Sequence, residues 1–139
     1  MISQALARQL HDAGVRWRPQ AGDRFAVRSS ELDGEVFTVA DMVVEAREYP
    51  SGTLLAFNGT TEWALDSVQL DQTLWLPLEH QLRELLGAAF RGLAPGPAGY
   101  EVRVQIPGRT AGSTFTATDP ADAYAQALLA LAGASAAEG

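Results

Sequence analysis

The sequence predicts an α+β fold: a two-layer sandwich of antiparallel sheet with about three helices. Three observations carry the prediction. Helical apolar spacing and strand alternation both occur, without the strict βαβ order of a parallel sheet. The strand candidates are short and are separated by turn residues such as Pro50-Ser51-Gly52 and Asn58-Gly59. The chain has 139 residues, 47% hydrophobic and 19% charged, which suits one domain of ordinary size.

The elements follow in order. Ile2, Leu6, Leu10 and Ala13 recur at helical spacing, so residues 2–13 read as a helix, with Ser3 as its cap and Gly14 as its stop. Residues 16–23 read as a loop. Strands are expected at 23–28, 35–40, 41–49 and 53–57, arranged as an antiparallel meander. Asn58-Gly59 is a tight-turn dipeptide, because both residues tolerate positive φ. Residues 62–70 fit either an extended segment or a helical turn, and the alternation of Trp63, Leu65 and Ser67 favours the former.

Residues 77–90 read as the second helix, with Pro77 at its first position and Leu78, Leu82, Leu85, Leu86, Ala89 and Phe90 as its apolar stripe. Residues 92–99, rich in glycine and proline, read as a loop. Residues 100–106 alternate Tyr100, Val102, Val104 and Ile106 against Glu101, Arg103 and Gln105, the mark of a strand with one wet face. Residues 113–117 return as its partner. Asp119 and Pro120 then open a third helix. The domain is expected to cover 1–133, with 134–139 as a flexible tail.

Charge and composition exclude several chemistries. There are 10 basic and 17 acidic side chains, a net charge of −7. All basic residues are arginine, so Schiff-base lysine chemistry and a P-loop lysine are excluded. Cysteine is absent, which removes disulfides and thiolate catalysis. A net negative chain repels phosphate backbones, so no nucleic-acid partner is expected. The longest strongly apolar run, Ala127 to Ala132, is far below a membrane span, and residues 1–12 have no signal-peptide core. A cytoplasmic protein without membrane partner is the expectation.

No reactive set stands out. Arg16, Arg18, Arg24 and Arg28 carry Trp17 and Phe25 among them, as a nucleic-acid strip would, but Arg16 and Arg18 read more simply as solvated while Trp17 packs inward. His11 and His80 read as surface residues, and no Gly-x-Ser-x-Gly elbow occurs. The acids at 33, 35, 41, 45 and 48, and at 62, 66 and 71, lack calcium-loop spacing. No catalytic residue, metal site or cofactor is therefore expected. Ala94-Pro95-Gly96-Pro97 lacks the amide donors of a phosphate cradle.

The candidate binding site spans Phe57 to Trp63 and Leu74 to Pro77. Trp63 and Trp75 would floor a cleft edged by Asn58, Thr60, Thr61 and Glu62. The alternative is that both indoles are core residues joining sheet to helix. An indole has an apolar body and one polar edge, so it suits either place.

At these residues the whole chain resembles a family of small actinobacterial proteins of unassigned function. The shared signals are Leu10-His11-Asp12-Ala13-Gly14 with Trp17, Gly22-Asp23-Arg24-Phe25, Phe57 to Ser67, and Leu74-Trp75-Leu76-Pro77 followed by Gln81-Leu82-Arg83-Glu84-Leu85-Leu86. The Trp-Leu-Pro…Gln-Leu element is also similar to one in phage- and Bacteroides-associated proteins. Some family members carry a pilus-assembly label. The resemblance implies no catalytic or binding residue. The expectation is a non-enzymatic binding or adaptor domain with a protein partner. Its alternatives are an immunity or antitoxin-type protein that neutralises a basic partner, and a small-ligand protein or enzyme with a Trp-lined cleft.

Overall fold

The structure is a computed structural model that describes residues 1–27, 35–39, 45–49, 52–56, 67–69 and 72–138. It has an α+β fold whose chain divides into two compact units. One is built from both ends, Met1–Arg16 with Pro77–Gly139; the other is Trp17–Leu76.

The two-ended unit holds helices α1 (Gln4–Asp12), α2 (Glu79–Leu86) and α3 (Pro120–Glu138) and strands β7 (Phe90–Gly96), β8 (Gly99–Val104) and β9 (Ser113–Ala117). Ser3 caps α1, its Oγ accepting the Leu6 N–H at 3.2 Å. Gly14, at φ +102°, lets the chain reverse while the Gly14 and Val15 N–H groups satisfy the His11 and Leu10 carbonyls. Helix α2 starts two residues later than its sequence pattern suggests. The Gln81 side chain accepts the Leu78 N–H at 2.9 Å, which fixes the start there and leaves Pro77 ahead of the helix. Its last turn tightens to a 3-10 turn at Gly87–Ala89.

Strands β7, β8 and β9 form an antiparallel sheet in that order. The expected loop at 92–99 is thus mostly strand β7. It bulges between Phe90 and Gly92 and runs in register from Leu93↔Val102 to Gly96↔Gly99. Pro95 is tolerated because β7 is an edge strand, where a missing N–H breaks no second ladder. Val102 and Val104 on β8, and Ile106 just beyond it, are fully buried. Glu101 and Arg103 point to the opposite face.

Helix α3 packs on β8 and β9 and is flanked by α1 and α2. A helix with neighbours on several sides must be apolar on several sides. Buried Ala121, Ala123, Tyr124, Ala125, Ala127 and Leu128 meet that need, and Tyr124 lies 5.7 Å from the Phe90 ring. Asp119 caps α3 through Oδ1, accepting the Ala121 N–H at 2.9 Å, while its other oxygen meets the Met1 ammonium. Burial pushes the Asp119 carboxyl up, but the ammonium hydrogen bond, the Ala121 N–H and the ammonium charge together hold it below the ordinary value. Residues 134–138, expected beyond the helix, continue α3, because Ala134, Ala136 and Ala137 are strong helix formers.

The second unit holds two antiparallel sheets among its described residues. Strands β1 (Arg24–Val27), β2 (Val36–Thr38) and β6 (Thr73–Trp75) lie in the order β2-β1-β6. Strands β3 (Glu45–Tyr49), β4 (Gly52–Ala56) and β5 (Ser67–Gln69) lie in the order β3-β4-β5. The single meander is therefore corrected to two sheets. Strand β1 takes β6 as its second neighbour, and β3 does not join it. Phe25, Ala26 and Val27 are all buried, so β1 is covered on both faces and alternation is lost.

Candidate functional site

Of the residues expected to floor and edge the cleft, the structure describes Trp75 alone; its neighbours Leu74, Leu76 and Pro77 are buried. Asn58, Thr60, Thr61, Glu62 and Trp63 lie outside the described residues. Trp75 is half-buried on β6, directly across from Phe25, whose other neighbour is Phe37 on β2. Directly opposed residues share a face of an antiparallel sheet, so Phe37, Phe25 and Trp75 form one aromatic row. Phe25 and Phe37 are stacked at 5.6 Å, and Trp17 leans on Phe25 at 5.3 Å. The Trp75 Nε1–H is buried and finds no acceptor among the described residues. A buried donor without a partner forgoes its hydration for nothing, a cost of about 1–3 kcal/mol.

Beside this row lies a buried acid, at the junction of the loop expected at 16–23 and the strand expected at 23–28. Asp23 is 4% exposed, and its Oδ2 accepts Trp17 Nε1–H at 2.8 Å and the Gln20 N–H at 2.9 Å. The Asp23 N–H donates to the Gln20 carbonyl, and the Val39 N–H donates to the Asp23 carbonyl. Asp23 thus locks the loop before β1 and fixes the indole of Trp17. Both side-chain bonds run backwards along the chain, to Trp17 and Gln20, a pattern that no local turn signal in the sequence marks. Arg16 and Arg18 are exposed while Trp17 is half-buried, so the indole packs inward between solvated arginines.

His11 and His80 are both exposed. Among the described residues no three His, Cys, Asp or Glu side chains come together as metal ligands. Among the same residues no helix is long and apolar enough to cross a membrane.

Charge divides unequally between the two units. Residues 17–76 carry four arginines and ten carboxylates, a net −6. Residues 1–16 and 77–139 carry six arginines and seven carboxylates, a net −1. Nearly all of the excess negative charge therefore belongs to the unit that holds the aromatic row.

Comparisons with protein-family models, with curated proteins and with solved structures find no match.

Proposed function

We propose that this protein is a non-enzymatic binding domain whose partner is a cationic protein, and that Trp17–Leu76 is its recognition unit. The observation that carries the reading is the −6 charge concentrated in those 60 residues, beside −1 for the rest. A unit with a strong net charge raises the local concentration of an oppositely charged partner and speeds encounter. The same field disfavours phosphate backbones and anionic membrane surfaces. An immunity or antitoxin-type role is the sharper form of this reading, because such a protein masks a basic toxin. The reading places the protein in the cytoplasm, as an adaptor or inhibitor.

The test is capture from native lysate on the immobilised full chain at low and high salt, with the retained proteins identified. Basic proteins held at low salt and released at high salt are the expected result, since exposed charge pairs are screened within a Debye length. Retention of no protein at either salt overturns the reading.

One observation favours a second reading. The unpartnered Trp75 Nε1–H is a donor that a small polar ligand could satisfy. A thermal-shift screen with nucleotides, sugars and divalent metals tests it, because a ligand of the native state raises Tm. A flat response across that panel removes it.

A further inference from the structure

The sheet of the two-ended unit has two edges of unlike character. The β7 edge carries the devices by which proteins blunt a free edge: a bulge between Phe90 and Gly92, and Pro95, which has no N–H to offer. The β9 edge carries none of them. Ser113–Ala117 is five residues of uninterrupted strand, with no proline, no glycine and no charge. Its register with β8 runs unbroken from Tyr100↔Ala117 to Val104↔Ser113. Among the described residues no strand pairs with its outer side. Thr114 and Thr116 are exposed, and Phe115 is half-buried.

We propose that β9 is a dimerisation edge, and that its occupant is β9 of a second copy of this chain, paired antiparallel about a two-fold axis. The sequence Ser-Thr-Phe-Thr-Ala reads nearly the same in both directions around Phe115. Pairing across a two-fold axis normal to the sheet keeps each side chain on its face, so only positions an even number apart can face each other. The register that uses all five residues sets Phe115 against its counterpart. It sets Thr114 against Thr116 on the outer face, and Ser113 against Ala117 beside Phe115. Aromatic pairs and Thr–Thr pairs are favourable cross-strand neighbours. Charge does not oppose the pairing: the strand that would meet its copy, Ser113–Ala117, carries no charged side chain. The product is a continuous six-stranded sheet, with β7 at both outer ends.

The experiment is the solution mass of the full chain by light scattering and sedimentation over a wide concentration range, for wild type and two variants. Thr114→Lys with Thr116→Lys places like charges opposite each other twice per dimer. It should raise the dissociation constant at least about tenfold, the ratio that about 1.4 kcal/mol produces. Thr114→Lys with Thr116→Glu places opposite charges at both positions and should keep the dimer. Both positions are exposed, so far-UV circular dichroism should be unchanged in each. A wild-type mass that stays monomeric overturns the proposal. So does a dimer indifferent to the double lysine variant. Loss of the dimer in the Lys/Glu variant overturns the register.

Discussion

Trp17→Phe tests how the Asp23 carboxylate holds the start of the second unit. The substitution deletes the Nε1–H that reaches Oδ2 at 2.8 Å and keeps a ring against Phe25, now 5.3 Å away. Asp23 is 4% exposed, so bulk water replaces the lost donor poorly. A hydrogen bond to a charged group contributes about 1.5–3 kcal/mol net. The smaller ring of a half-buried residue forgoes about 0.5 kcal/mol of apolar burial. The expected loss is therefore about 2–3.5 kcal/mol, read as a lower urea midpoint at unchanged m. Asp23→Asn and the double variant complete a cycle. The two changes should be strongly non-additive, with a coupling of about 1 kcal/mol or more. A Trp17→Phe loss below about 0.5 kcal/mol, or an additive cycle, would refute the account of this loop.

Three further outcomes follow from the same geometry. Trp75→Phe removes an unpartnered buried N–H along with some burial, so its stability should stay within about 1 kcal/mol of wild type; a loss above about 3 kcal/mol would show that Nε1 has an acceptor. Gly99→Ala should cost about 2 kcal/mol or more by thermal melting, because φ is +129° and the new Cβ would lie 2.6 Å from the Ala117 carbonyl; Gly14→Ala, at φ +102° with open space, should cost less. The lowered Asp119 pKa gives a stabilising contribution that is complete above the unfolded carboxylate range and is lost as pH falls through the depressed folded value. Asp119→Asn keeps the cap on Ala121 yet should flatten that acid limb in a Tm-against-pH profile; an unaltered limb would exclude the Met1 pair as its source.

Legibility in the sequence depended on how each element is buried. Helices α1 and α3 were readable in outline because their caps, Ser3 and Asp119, are local signals that act within one turn. Strand β8 was readable because one face is wet and the other is closed by Val102 and Val104. Strand β7 was not, since its pairing residues include Gly92, Ala94, Pro95 and Gly96, which carry no hydropathic alternation; the neighbouring β8 ladder makes it a strand. Strand β6 was hidden in the same way, because Leu74-Trp75 has no period and joins β1 from across 50 residues of chain. Of the candidate site, Trp75 was found by its chemistry, and its place in an aromatic row came from the pairing of β1 with both β2 and β6. Asp23 was missed because a buried acid before a strand looks, in sequence, like any polar loop residue.

The two-ended unit also sets a timetable for synthesis. Helix α1 packs on α3, and Ser3 and Met1 reach Asp122 and Asp119, the latter 118 residues downstream. At about 5–20 residues per second, a nascent chain carries the α1 segment for on the order of ten seconds before α3 is made. Ile2, Ala7 and Leu10 have no docking partner on α3 during that wait. Residues 4–12 therefore leave the ribosome with their apolar stripe uncovered, and only the later synthesis of α3 can cover it.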